Sequence, residues 1–237
     1  MRVKKNKVIE KQIKRLYHLT HLDKAIHYFR SKNRPKAVFI WIPKNAGTSL
    51  YNMLKTYGCT KVKVLSQISQ RFSQRGLVTF DHMDYAQLVE KNHVSKEYDE
   101  KSFKFCFCRN PYDRAVSLYV YLTKKMSDKP SFLAFWQSIE GNIDDIGLYN
   151  SKGMSLCNPQ YRWIEHVKVD FIGRYENYDE ELIRLMKEVG LPPLKVEHRN
   201  KSKRKSWKDY YCDESKIIIE RLYAKDFEYF DYEIESF

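Results

Sequence analysis

Six apolar residues, Ala37-Val38-Phe39-Ile40-Trp41-Ile42, run into Pro43 and then into Lys44-Asn45-Ala46-Gly47-Thr48-Ser49. Leu50, Met53, Leu54 and Tyr57 follow at helical spacing until Gly58. A short apolar run closed by proline reads as a strand buried on both faces. The recurring apolar residues after it read as an amphipathic helix that glycine stops. Strand, polar loop and helix in that order constrain the chain strongly. The loop must lie at a helix N-terminus, where unpaired N–H groups and the positive end of the helix dipole attract an anion. Gly47 lets the backbone approach a ligand, Thr48 and Ser49 add hydroxyl donors, and Lys44 adds a full charge. The nucleotide-binding pattern G-x-x-x-x-G-K-[ST] would place lysine directly before the hydroxyl residue. Here lysine precedes the glycine by three positions, which disfavours Mg²⁺-nucleotide chemistry.

The rest of the chain repeats the alternation. Strands are expected at 62–68, 77–80, 103–108 and 169–173, and helices at 85–91, 111–122, 131–139, 180–189 and 215–227. Pro111 sits where a first-turn proline belongs, and Gly190 closes the helix before it. Residues 141–158 read as polar and irregular. Strands alternating with helices predict an α/β fold, a three-layer αβα arrangement around a mainly parallel sheet. The division expected is a basic amphipathic helical extension over 1–36 and a single domain over 37–237.

The formal net charge is +13 over 237 residues, which favours anionic partners. It is unevenly spread: residues 1–36 carry a net +10, residues 195–208 a net +6, and residues 213–237 a net −5. Residues 8–30 place Ile9, Ile13, Leu16, Leu19, Ile26 and Phe29 at helical spacing among lysines and arginines. Such a helix either packs on the domain with a solvated basic face or docks on a membrane surface or polyanion. Five scattered cysteines give no disulfide framework and no zinc spacing, which fits a reducing compartment. Cys106 and Cys108 would share one strand face as small buried thiols. Neither a secretory signal nor a 20-residue apolar span is visible.

A second motif, Cys108-Arg109-Asn110-Pro111-Tyr112-Asp113-Arg114-Ala115-Val116-Ser117, also starts at a strand end and enters a helix. Arg109 would stand at the edge of the sheet where open α/β folds bind ligands, and its fork suits a phosphate. Ser117 lies two turns along the helix. Arg114 could pair with Asp113 or with another surface acid. His82, in Phe80-Asp81-His82-Met83-Asp84-Tyr85, follows a strand and is the best-placed candidate base, with Asp81 or Asp84 able to orient it or to replace it.

Together the two motifs resemble the phosphate-binding stretches of sulfotransferases that use 3′-phosphoadenosine 5′-phosphosulfate (PAPS). The carbohydrate (type 2-like) branch is the nearest match. Phe171–Asn177 and Tyr223–Tyr232 resemble further stretches of that branch, and the likeness runs from about residue 37 to 232. The resemblance implies a P-loop-like fold with a loop for the 5′-phosphosulfate. Lys44, Asn45, Ala46, Gly47, Thr48 and Ser49 would form that loop, with Lys44 at the bridging oxygen. Arg109 and Ser117 would hold the 3′-phosphate. Arg199, Lys201, Ser202 and Arg204 would close over the nucleotide. His82 would be the base toward a glycan or other hydroxylated acceptor, whose pocket falls to 125–165. No metal is implied. Without the anchor of Golgi relatives, a soluble bacterial enzyme is expected, cytoplasmic or peripheral at the inner membrane surface. Two readings stay open beside it: a P-loop nucleotide kinase or hydrolase, and a non-catalytic basic protein that docks polyanions. No nucleic-acid motif supports the latter.

Overall fold

The structure is a computed structural model that describes residues 22–141, 143, 147–148, 151–192 and 205–236. Five parallel strands make the sheet: β1 (Ala37–Phe39), β2 (Thr60–Lys61), β3 (Leu77–Thr79), β4 (Phe103–Cys108) and a fifth over Phe171–Arg174. Their order is β2, β3, β1, β4, then the Phe171–Arg174 strand. After β1 the chain builds one side of the sheet and then crosses to the other. The order in which strands are added therefore reverses at β1, and β1 marks the crevice where such folds take ligands.

Alternation along β4 divides the core. Phe105 and Phe107 face one layer with Phe39, Leu54 and Leu182. Cys106 and Cys108 face the other with Val38, Val78, Ile68 and Leu88. The first layer is covered by α2 (Gly47–Thr56) and a helix over Tyr178–Val189. The second is covered by α3 (Leu65–Arg71), α4 (Tyr85–Glu90) and α5 (Lys96–Glu100). This is the three-layer αβα arrangement that the alternating pattern predicts. A further apolar cluster joins α6 (Pro111–Leu122), α7 (Phe132–Glu140) and helices over Asp213–Leu222 and Ala224–Tyr229. Local chemistry sets the helix starts. Asn110 accepts from the Tyr112 and Asp113 amides ahead of Pro111. Ser95, Ser131 and Asp84 cap in the same way. Gly190, at φ 71°, ends its helix in the left-handed region.

The structure departs from the sequence reading in several places. The tract 62–68 is not a strand: pairing stops near Val62, whose amide donates to the Thr79 carbonyl at 2.9 Å. Ile68 and Phe72 then bury one face at a spacing of four residues. Alternating apolar residues at 62 and 64 concealed that change of period. α5 was not expected. Residues 147–148 and 151–155 form a two-stranded antiparallel pair, β5 and β6, within the stretch read as irregular. The last helix is broken at Tyr223, where the hydroxyl bonds the Cys157 carbonyl and turns Asp226 inward. The fifth strand of the sheet is β7 (Phe171–Arg174), and α8 is Tyr178–Val189. Of the basic N-terminal helix, α1 (Leu22–Arg30) is described and packs on α3. Its earlier part lies outside the described residues.

Gly173 in β7 sits flat against the Phe107 ring, and a Cβ there would come within 2.7 Å of it. Phe107 is buried in the sheet and has no room to yield. Gly173→Ala is expected to cost about 1–3 kcal/mol of stability by overpacking. Urea unfolding should show a lower midpoint at an unchanged slope.

Candidate active site

Three chemistry-bearing stretches leave three neighbouring strands at their carboxyl edge. The 43–49 loop follows β1 at the centre, His82 follows β3 on one side, and Arg109 follows β4 on the other. An anion held by the central loop would therefore have a basic side chain on one flank and an imidazole on the other.

The loop is tightly wound. Lys44 (φ 71°) and Ala46 (φ 58°) both occupy the left-handed region, at a cost of roughly 1–2 kcal/mol per residue. Turns of this kind bring successive N–H groups toward one side, where an anion can accept from them. Ala46 offers no side-chain cap to α2, which leaves the first-turn amides of Gly47, Thr48 and Ser49 without a side-chain acceptor, and Thr48 and Ser49 are exposed. Gly47 is required by packing: a Cβ would lie 1.8 Å from the Trp41 indole nitrogen. The Lys44 ammonium lies 4.1 Å from the centre of the Tyr121 ring. The Asn45 side chain turns inward, donating to the Phe107 carbonyl and to Gln160 Oε1, both at 2.7 Å. Only its backbone is left to meet a ligand.

Arg109 is buried and well held. Nε and Nη2 donate to one oxygen of Asp113 at 2.8 and 2.6 Å, and Nη1 donates to the Lys44 carbonyl at 3.0 Å. The guanidinium lies 4.1 Å from the centre of the Tyr175 ring. It joins the second motif to the first. Asp113, Ser117 and Tyr121 are spaced by four along α6 and share one helix face. Arg109 meets that face at one end and Lys44 at the other. Arg114 does not pair with a surface acid. It is fully buried, with Nε donating to the Pro43 carbonyl at 3.1 Å and Nη2 to the Leu156 carbonyl at 3.0 Å.

Beneath both loops lies Gln160, which is fully buried. Its Oε1 accepts from Asn45 Nδ2 at 2.7 Å and from the Arg109 amide at 2.9 Å, while Nε2 donates to the Arg109 carbonyl at 2.8 Å. Asp226 holds the Gln160 segment in turn, accepting from the Gln160 and Tyr161 amides at 2.8 Å. Burial raises the Asp226 pKa, and the nearby Arg114 charge opposes that rise.

His82 Nδ1 lies 2.8 Å from the Trp41 carbonyl. A carbonyl only accepts, so Nδ1 carries the proton and Nε2 carries the lone pair. Nε2 is 4.0 Å from Asp81 Oδ1. Asp81 itself pairs with Lys61 at 3.0 Å. Burial lowers the His82 pKa, against the opposing pull of the Trp41 carbonyl and Asp81. Asp84 is occupied as the cap of α4, accepting from the Gln87 amide and side chain.

Residues 26–233 match the sulfotransferase family. The chain belongs to that family. An uncharacterized protein from Archaeoglobus fulgidus is 35% identical over 102 residues, which cover 43% of this chain and 79% of the relative. A crystal structure of mouse sulfotransferase SULT7A1 complexed with PAP superposes with a TM-score of 0.54 at 15% identity, covering 82% of this chain and 84% of the mouse chain. That likeness shows a shared fold.

The sequence of this sulfotransferase thus leads to Lys44, the 45–49 loop, His82, Arg109 and Ser117, and the fold sets these at one edge of the sheet. Arg199, Lys201, Ser202 and Arg204 lie outside the described residues. Sequence reasoning missed Gln160 and Asp226 and misread Arg114. Gln160→Ala should strip the Arg109 backbone of its buried partners and cost on the order of 2–4 kcal/mol. The expected result is a lower denaturation midpoint together with weaker nucleotide binding in calorimetry.

Proposed function

We propose that this sulfotransferase moves a sulfuryl group from PAPS to a hydroxyl of a carbohydrate acceptor. The observation that carries this reading is the placement of anion loop, arginine and histidine on three adjacent strands, β1, β4 and β3. Mouse SULT7A1, which has the same fold, was crystallised with PAP. The residues present fit the donor: an uncapped helix start, two exposed hydroxyls, an ammonium and a guanidinium within one connected cluster. Arg114 Nη1, on the side chain that braces Pro43, is buried with no hydrogen-bond partner among the described residues. All five cysteines are free thiols and four are buried, which supports a reducing, cytoplasmic setting.

When bound, PAPS supplies an electrophilic sulfur and a phosphate leaving group. The amides of Gly47, Thr48 and Ser49 would hold the 5′ end. The Lys44 ammonium would stabilise negative charge on the bridging oxygen. Arg109 and Ser117 would take the 3′-phosphate. Arg109 still has one N–H on each terminal nitrogen after its bonds to Asp113 and Lys44. His82 accepts the acceptor proton at Nε2, and the Trp41 carbonyl fixes the tautomer that makes this possible. The carbohydrate acceptor is inferred from the type 2-like motifs at 171–177 and 223–232. A panel of hydroxylated acceptors with labelled donor, read by product mass, tests that assignment.

Three outcomes are expected. First, 3′,5′-diphosphoadenosine should bind more tightly than 5′-AMP by about 10–150-fold, the worth of one charge-assisted contact, and Arg109→Ala should erase the difference. Calorimetry with both nucleotides decides it. Second, Lys44→Ala should lower kcat more than it weakens binding of the spent nucleotide, because its charge acts most on the departing oxygen. Third, His82→Ala and His82→Asn should each lower kcat on the order of 10²–10⁴-fold while donor binding persists. A base must be neutral, and the His82 pKa lies below the usual value of about 6.5. The rate should therefore be flat through neutral pH and fall, with the loss of one active group, only below that value.

A further inference from the structure

Helix α1 is mounted with polar side chains against the domain. Asp23 pairs with Arg71 at 3.5 Å, and His27 Nδ1 meets the Ser73 hydroxyl at 2.6 Å. Leu22, Ala25, Tyr28 and Phe29 are left facing outward, with Leu22 47% and Phe29 74% exposed. Leu22, Ala25 and Phe29 follow the i, i+3, i+7 spacing of one helical stripe. An apolar stripe turned to solvent marks a surface that meets something else.

Beside it opens a cavity of about 380 Å³ lined by four cations, Lys32, Arg34, Lys36 and Arg75, against one acid, Glu97. Arg75 links cavity and stripe: its guanidinium is 3.8 Å from the centre of the Tyr28 ring, and Nη2 donates to the Tyr28 hydroxyl at 3.0 Å. Much of the remaining lining is polar, with Ser31, Ser73, Gln74 and Ser95 among it, and so suits a hydrated anionic group better than an apolar molecule. Lys36 and Gly76 immediately precede β1 and β3. The cavity is therefore at the amino edge of the sheet, opposite Lys44, His82 and Arg109. The five steps of extended chain from Lys36 to Trp41 span roughly 17 Å.

A solvent-facing apolar stripe next to a cationic recess matches a bilayer interface, where apolar side chains enter the headgroup boundary and cations meet lipid phosphates. Residues 1–21 carry a net charge of +6. That charge adds to attraction for an anionic surface. We propose that this edge docks the protein on an anionic phospholipid bilayer, with Leu22 and Phe29 in the interface and a lipid phosphate in the Lys32–Arg34–Lys36–Arg75 recess. Docked so, the enzyme turns its catalytic edge to the aqueous side, and it takes acceptors from solution and not from the membrane beneath it.

Co-sedimentation of the full chain with vesicles tests this. Binding is expected to phosphatidylcholine vesicles that contain phosphatidylglycerol and not to phosphatidylcholine alone, with a steep loss as salt rises. Lys32→Gln with Arg75→Gln should weaken it about 25-fold, at about fivefold per cation. Phe29→Ser should weaken it about tenfold. Both variants should keep their thermal midpoints and their activity on a soluble acceptor. Lys44→Ala should bind vesicles normally, so failure of the catalytic reading and failure of this one are separable. Unchanged vesicle binding by both surface variants would assign the attraction to residues 1–21 and overturn the proposal. So would saturable binding of inorganic phosphate with no binding to vesicles, which would make the recess a site for a soluble anion.

Discussion

One buried amide fixes the distance between the loops that follow β1 and β4. Gln160 accepts from Asn45 on the β1 side and exchanges two hydrogen bonds with the Arg109 backbone on the β4 side. Neither loop can move independently without leaving buried polar groups unpaired, which costs more than an ordinary hydrogen bond contributes. The amide is itself held by Asp226 from the C-terminal helices. Packing of the last part of the chain thus sets the geometry of a site near its beginning.

The same logic gives a role to the two other stretches that resemble the carbohydrate branch. Glu176 accepts from the Asn110 amide at 2.6 Å and from the Tyr232 hydroxyl at 2.9 Å. Arg174 donates to the Phe230 carbonyl at 2.7 Å. Phe171–Asn177 and Tyr223–Tyr232 therefore meet each other and brace the start of α6. Their contribution is to brace the end of β4 from which Arg109 leaves.

The parallel sheet, and the placement of the two loops at its carboxyl edge, were legible because their signals are local. A buried strand, a polar loop and a helix period sit together at 37–57, and again at 103–122. The polar supports were not legible. Gln160 lies 115 residues from Asn45, and Asp226 lies 66 residues from Gln160. Nothing in the neighbourhood of any of them announces the partner. Arg114 was misread for a related reason: spacing along a helix favours Asp113 or a surface acid, whereas tertiary burial gives Arg114 two carbonyls and leaves Asp113 to Arg109. The tract 62–68 failed differently. Its strand pairing ends near Val62 and a helix begins three residues later, too short a distance for either period to declare itself.

Trp41 stands at the junction of both halves of the site. Its indole fills the space where Gly47 has no side chain, its carbonyl accepts from His82, and Lys61 lies 3.7 Å from its ring centre while pairing with Asp81. Loop and imidazole therefore share a wall and form one stiff chemical unit. On the proposed reading, acceptor preference is then left to the segments around that unit. Such a division lets a lineage exchange one acceptor for another by remodelling its periphery, with the transfer chemistry carried forward intact.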